Sequence, residues 1–316
     1  MKNNFYHQPV LLKEVIKNLS IKKGGKYIDA TLGLGGHTCE IIKNGGLVLG
    51  IEWDPEVLAM TKERLARKIE STYPDASFSH RDNKKSSNRP TSSRFVLSNF
   101  ARIDEIAREN RFYPVDGILF DLGISRWHYK FSKRGFAFDD QTLDMRINPD
   151  LPETALNIVN SYSYDQLYRI LAETVQEELA GPIARALVSS RRLGGITTAQ
   201  ELSNLAAKVY REHRLAKKAN PATKLFLALR SLVNEEIENL KLGLAGAMQV
   251  LAPGGKLLVI TFNSNEDRLV KKFSKLEKQK GQVEKLSLIF PDREEIKNNR
   301  LCRSAKLRVL VKKSET

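Results

Sequence analysis

The stretch Lys26-Tyr-Ile-Asp-Ala-Thr-Leu-Gly-Leu-Gly-Gly-His37 is followed one helix length later by Leu47-Val-Leu-Gly-Ile-Glu-Trp-Asp54. A short apolar run leads into a turn with glycines at 33, 35 and 36, and a second apolar run ends on Glu52. Strand-length apolar runs separated by a helix-length segment mark a βαβ unit with parallel strands. Ligands of such sheets lie beyond the carboxyl ends of the strands, where a glycine turn admits close approach and a strand-end acid accepts ribose hydroxyls. The spacing departs from the dinucleotide fingerprint G-x-G-x-x-G, because Thr38 stands where its third glycine would be. A turn of this kind, opened by Asp29 and Thr31, suits a cofactor with a ribose and a charged amino-acid tail but no phosphate, as S-adenosylmethionine is. The same glycines would also serve a purely structural turn.

Outward from this unit, strands are predicted over 26–30, 47–52, 95–98, 117–121 and 256–262. The first four alternate with helical patterns, which implies a parallel, doubly wound α/β sheet. Segments 283–290 and 305–311 alternate apolar with polar residues and are expected to close the sheet as an antiparallel pair. Asp54-Pro55-Glu56 is a helix start, with Asp at the N-cap and Pro at the first helical position. Asp54 therefore reads as a cap, and Glu52 as the ribose candidate. From 148 to 221 the pattern is helical throughout, with runs at 155–160, 165–171, 175–192 and 198–210. The expected organisation is a sheet domain in two parts, 1–147 and 222–316, carrying an inserted all-helical domain at 148–221. Leu225, Phe226, Leu229, Leu232, Val233, Ile237, Leu240 and Leu244 read as one face of a single long helix that returns the chain to the sheet. Segment 74–94 is polar and rich in Ser and basic residues, and reads as a mobile surface loop.

The 52 Lys and Arg against 37 Asp and Glu leave a net charge of +15 among 316 residues. Such an excess draws polyanions, and its clustering points to phosphate contact. Lys297, Arg300, Arg303, Lys306, Arg308, Lys312 and Lys313 fall in one stretch with no acid from 296 to 314; Lys208, Arg211, Arg214, Lys217, Lys218 and Lys224 form a second group. The two cysteines, Cys39 and Cys302, and five histidines have no metal-ligand spacing, so neither a zinc site nor a disulfide framework is expected. No segment approaches the apolar length of a membrane span, and a soluble, cytoplasmic enzyme is the expectation. Two other classes share part of the pattern. A nicotinamide-linked oxidoreductase should have the glycine that Thr38 replaces, and a noncatalytic RNA-binding assembly factor would not need the glycine turn, Glu52 and Asp121 together.

Nine blocks in order carry a resemblance: His7-Gln-Pro-Val-Leu-Leu-Lys-Glu-Val15, Asp29-Ala-Thr-Leu-Gly-Leu-Gly-Gly-His-Thr38, Phe120-Asp-Leu-Gly-Ile-Ser125, Arg134-Gly-Phe-Ala-Phe138, Leu143-Asp-Met-Arg146, Asn220-Pro-Ala-Thr-Lys224, Ala252-Pro-Gly-Gly255, Glu266-Asp-Arg268 and Arg303-Ser-Ala-Lys-Leu-Arg308. They resemble the successive motifs of the ribosomal RNA small subunit methyltransferase H family, over nearly the whole chain. The resemblance implies a class I S-adenosylmethionine-dependent methyltransferase fold, Rossmann-like, and methylation of N4 of a cytidine in the decoding centre of 16S rRNA. It implies 16S rRNA or the small ribosomal subunit as partner, with no obligate protein partner indicated. Gly35, Gly36 and His37 would line the amino-acid end of the cofactor, Glu52 its ribose and Phe100 its adenine. Asp121 would face the donor near the transfer point, as a cofactor residue, an acceptor for the N4 hydrogens, or both; no general base is assigned.

This chain departs from the family's pattern at four positions. His128 stands for a glutamine at the cofactor, Glu52 for an aspartate, and Asn220 and Asn263 for histidines. Trp127, Tyr129, Phe131, Phe136 and Phe138 lie among Lys130, Lys133 and Arg134, a mixture suited to stacking an exposed base or to packing the helical insertion. Arg134, Arg303, Lys306 and Arg308 are the candidate RNA contacts. His7 and Pro9 either anchor the N-terminal segment or act at the cofactor.

Overall fold

Seven strands form one sheet among the described residues: β1 (Lys26–Asp29), β2 (Leu47–Glu52), β3 (Arg94–Leu97), β4 (Val115–Asp121), β5 (Leu251–Thr261), β6 (Val283–Ile289) and β7 (Lys306–Lys312). The structure is a computed structural model and describes residues 9–72, 92–213 and 220–314. His7, Arg214, Lys217, Lys218 and nearly all of the loop expected at 74–94 lie outside the described residues. The strand order is 3-2-1-4-5-7-6, with β1 to β5 parallel to one another and β7 antiparallel to both β5 and β6. The expected parallel sheet and its antiparallel close are both present.

The helices are α1 (Leu12–Leu19), α2 (Gly36–Lys43), α3 (Pro55–Thr72), α4 (Ile103–Glu109), α5 (Arg126–Lys130), α6 (Ala155–Ser161), α7 (Tyr164–Ala172), α8 (Glu177–Ser190), α9 (Ala199–Glu212), α10 (Thr223–Val233), α11 (Glu236–Val250), α12 (Ser264–Gln279) and α13 (Arg293–Asn298). The chain divides into a sheet unit, Met1–Ile124 with Ile237–Thr316, and a helical unit, Ser125–Glu236.

Residues that alternate along a strand point to opposite faces, and here both faces are buried. Ile118, Phe120, Leu257 and Val259 pack with Ile103 of α4, Leu240, Leu244 and Ala247 of α11 and Val270 of α12. Leu119, Leu258 and Ile260 pack on the other face with Val15 and Leu19 of α1 and Ile41 of α2. The central strands are therefore near-continuous apolar runs, which is why they are legible as short hydrophobic segments.

The helical unit contains no strand among its described residues, and three of its helices begin with reciprocal caps: Thr154 with Asn157, Ser163 with Gln166 and Thr198 with Glu201. Its extent differs from the expected 148–221 at both ends. Residues 142–147 are hydrogen-bonded into it, through Asp144 O to the Ala155 amide (2.8 Å), Leu143 O to the Leu156 amide (2.8 Å) and Thr142 O to the Ala199 amide (3.1 Å).

The single long helix expected from Leu225 to Leu244 is two helices. Asn234 ends α10 by turning its side chain to distant backbone, accepting from the Ile147 amide at 2.7 Å and donating to Met145 O at 2.8 Å. Glu235 then takes a positive φ of 48° before α11 begins. Those bonds outweigh continuation of a helical pattern that has no Gly or Pro at the break. Strand β5 also starts earlier than expected, at Leu251, and absorbs Pro253-Gly254-Gly255 as an irregularity between its pairings with Val115 and Gly117.

Candidate functional site

Because β1 to β4 run parallel side by side, their ends, at Asp29, Glu52, Leu97 and Asp121, emerge on one edge of the sheet. The glycine turn follows β1 on that edge. Gly35 has φ +73°, and a Cβ there would stand 3.0 Å from Thr61 Cγ2 and 3.1 Å from Leu65 Cδ1, so the position needs both glycine's backbone freedom and its lack of a side chain. At Gly36 a Cβ would fall 2.4 Å from Pro9 Cγ. Pro9 is thus seated directly on the start of α2.

Two side chains of α3 and a backbone amide of β4 pin the turn. Thr61 Oγ1 donates to Gly33 O at 2.6 Å, the Arg64 guanidinium donates to Leu34 O, and Thr31 Oγ1 accepts from the Asp121 amide at 2.6 Å. Thr38 is buried and donates to Asp29 Oδ2 at 2.6 Å. A hydroxyl therefore fills the helix–strand contact that the dinucleotide fingerprint keeps for glycine.

Glu52 anchors the same turn. Its Oε2 accepts from the Gly33 amide at 2.8 Å, and its Oε1 accepts from the amides of Trp53 (2.8 Å) and Asp54 (2.9 Å). A carboxylate offers about four acceptor positions, so about one remains for a hydroxyl. Burial pushes the Glu52 pKa up to about 7. Asp54 is the helix cap expected of it, accepting from the amides of Glu56 (2.8 Å) and Val57 (3.3 Å). Phe100 opens a 3-10 turn after β3 and meets Phe120 edge to face, with ring centroids 5.5 Å apart.

Asp121 ends β4 with its side chain one-quarter exposed. Its Oδ1 is buried with no hydrogen-bond partner among the described residues, and its Oδ2 lies 3.5 Å from His37 Nδ1. The other ring nitrogen, Nε2, is 3.0 Å from Val10 O. A carbonyl only accepts, so Nε2 carries hydrogen and neutral His37 turns a bare Nδ1 lone pair toward Asp121. Burial lowers the His37 pKa to about 4. Burial, and then the negative neighbours Asp29 and Glu266, push Asp121 up to about 8. Asp29 itself is raised to about 6 by burial. Glu266 is buried at the start of α12, where it accepts from the Phe262 amide at 2.8 Å and forms a capping box with Asn263. The residue that replaces the family histidine thus has a local task as an N-cap.

The basic candidates divide. Lys306 and Arg308 sit at the start of β7, opposite Thr261 and Val259 of β5, which brings them to the same edge of the sheet. Both are engaged by Asp267: Lys306 Nζ at 2.8 Å from Oδ2 and Arg308 Nη2 at 2.7 Å from Oδ1. The trio keeps one net positive charge of its two cations. Arg303 lies exposed in the turn before β7. The sequence by itself assigns no role to Asp267 or Glu266. The N-x-x-E spacing of the capping box is a legible signal for Glu266. Nothing local marks the pairing of Asp267 with side chains 39 and 41 residues away.

His128 and Arg134 belong to the helical unit. His128 is buried in α5 with Nδ1 3.0 Å from Ser125 Oγ, and its ring meets Trp127 and Phe136 edge to face at 5.4 and 5.3 Å. Arg134 donates to Ile147 O at 2.9 Å and stands 5.5 Å from the Trp127 ring. Phe138 packs on Phe226 at 4.8 Å. Of the five aromatic residues in this region, only Tyr129 and Phe131 are exposed, beside exposed Lys130. Among the described residues no group of three His, Cys, Asp or Glu is arranged to hold a metal ion, and no helix is long and apolar enough to cross a membrane.

Comparison with known proteins gives a match, over residues 4–313, to the family described as the MraW methylase family. A protein of Carboxydothermus hydrogenoformans named ribosomal RNA small subunit methyltransferase H is 38% identical, over 98% of this chain and 99% of that protein. Its namesake in Dictyoglomus turgidum is 38% identical over 96% of each. Among solved structures, an rRNA methylase from Streptococcus thermophilus aligns with a TM-score of 0.45 at 10% identity, over 98% of this chain and 100% of that one.

Proposed function

The chain belongs to the MraW methylase family, and from that premise we propose that it methylates N4 of a cytidine in the decoding centre of 16S rRNA, with S-adenosylmethionine as donor. The observation that carries this reading is the convergence, on one sheet edge, of the pinned glycine turn, Glu52 and Asp121. The residues fit such a donor. Glu52 keeps an acceptor position for a ribose hydroxyl, Asp121 Oδ1 is a buried acceptor without a partner among the described residues, and Thr38 fills the helix–strand contact that a dinucleotide-binding turn keeps for glycine. Gly35, Gly36 and His37 would hold the amino-acid end, and Phe100 would stack on the adenine. The donor supplies a methyl carbon already activated by a sulfonium, so direct in-line transfer asks the protein mainly for positioning and electrostatics.

Family likeness alone supports His128 at the cofactor, its own ring meeting Trp127, Phe136 and Ser125. The exposed Arg303 and the partly neutralised Lys306 and Arg308 would meet the RNA phosphates at the edge of the same sheet, and Arg134 would act from the helical unit. The partner is 16S rRNA or the small subunit containing it, in the cytoplasm. Two measurements test the reading. Calorimetry should give binding of S-adenosylmethionine and none of NAD. Mass-spectrometric mapping after reaction with small subunits should place the methyl on a single cytidine; methylation of another base, or none, would remove the assignment.

A further inference from the structure

We propose that His37 and Asp121 form one proton-holding pair, in which His37 is the positioning residue that sets the basicity of Asp121 and Asp121 takes the proton released by the acceptor amine. This rests on the amine acceptor of the reading above. The geometry fixes the tautomer: Nε2–H is committed to Val10 O, so Nδ1 faces Asp121 Oδ2 at 3.5 Å as a lone pair. An ionised Asp121 then meets a lone pair on one oxygen and no partner on the other, Oδ1, which is buried. Protonation relieves both, because Asp121 Oδ2–H donates to Nδ1 and the buried Oδ1 becomes a neutral carbonyl. The other charged groups facing the pair act in the same direction, Asp29 at the end of β1 and Glu266 at the start of α12 both favouring the protonated form. No Lys or Arg pairs with Asp121 among the described residues.

The step balances simply. The nitrogen lone pair forms the N–CH3 bond, the CH3–S bond breaks with its electrons going to sulfur, and one N–H proton passes to Asp121 Oδ2, where Nδ1 shares it until it is lost to water. The pair therefore works from its deprotonated state, and methylation rises with pH through the titration of Asp121.

The test reads the ligand-free protein by NMR, following the Asp121 carboxyl carbon and the His37 ring nitrogens. Asp121 should titrate near 8 and His37 should be neutral with hydrogen on Nε2 at pH 7. His37→Gln keeps an amide donor for Val10 O but has no counterpart of Nδ1. In that variant the Asp121 midpoint should fall by about one pH unit or more, a tenfold change in acidity, and the acid limb of single-turnover methylation should move with it. A structural role for His37 would lower the rate and leave both midpoints in place, which would overturn the proposal. Should His37→Gln fail to fold, the native protein decides alone, since an Asp121 midpoint in the ordinary carboxylate range or a proton on Nδ1 would refute the pair. The titration needs no donor, so its failure is separable from failure of the donor to bind.

Discussion

Asp267 and Asp121 are carboxylates of one sheet unit, on one edge of one sheet, and their surroundings are opposite. Asp267 has Lys306 and Arg308 within 2.8 Å, and although burial raises its pKa, the hydrogen bonds and charges of these two cations more than offset this and hold it below the ordinary carboxylate range. Asp121 has a lone pair, a buried unpartnered oxygen and two acids, and is pushed up to about 8. A charge that ties α12 to β7 is satisfied by the fold. A carboxyl whose charge is left unsatisfied at a strand end holds its proton instead, which is the mark of a group available for chemistry.

The largest expected break in this contrast is Asp121→Asn. Loss of a proton acceptor should lower methylation by roughly 10²–10⁴-fold at saturating donor, measured in single turnovers. Its stability should move the other way. A carboxyl that keeps its proton to about 8 when folded but releases it near 4 when unfolded loses folding stability as pH rises between those values. Asp121→Asn should therefore melt higher than the native protein at pH 8, by the equivalent of about 1 kcal/mol or more, and show no such gain near pH 4. A gain that is independent of pH would break the comparison.

Asp267→Ala should do the reverse. It strands Arg308, whose side chain is only 15% exposed, and should cost about 2–3 kcal/mol by denaturant unfolding at pH 7. Because the Asp267 pKa is depressed on folding, its stabilising share is complete above about 4 and is lost as pH falls through the folded value. The deficit of the variant should shrink in that acid window.

A third acid sharpens the scale. Asp54 caps α3, and Asp54→Ala should cost about 1 kcal/mol in thermal unfolding while leaving donor affinity nearly intact. The smallest effect concerns RNA. Arg303→Ala should flatten the slope of log affinity against log salt by about 0.7, the single-strand value for one lost phosphate contact, whereas Lys306→Ala should flatten it less because Asp267 already shares that charge. Equal flattening would mean that Asp267 releases Lys306 when RNA binds.

Features that depend on neighbouring residues are legible in the sequence. Glu52 ends its strand as expected, Asp54-Pro55 starts a helix as expected, and the alternation of 305–311 appears as β7 with Leu307 and Val309 buried. Local pattern misleads where distant groups intervene. Leu225 to Leu244 has unbroken helical periodicity, yet Asn234 ends the helix by bonding to residues 145 and 147. Arg134-Gly-Phe-Ala-Phe138 fits RNA stacking and packing of the helical segment equally well by composition, and only the structure shows Arg134 donating to Ile147 O and Phe138 packed on Phe226.

By itself the chain's order of residues determined the strand sequence, the parallel alternation, the helical insertion and the edge on which Gly35, Glu52 and Asp121 meet, because periodicity and caps depend on neighbours within a turn or two. Only the tertiary structure decided how each charge is used: Glu52 spent largely on backbone amides, Lys306 and Arg308 drawn to Asp267, and His37 locked by Val10 O with its lone pair toward Asp121. The protonation of a group follows from burial and from partners brought close in space, and partners 19 to 84 residues away, such as Gly33 for Glu52 and Asp121 for His37, leave no mark on the spacing of the residues themselves.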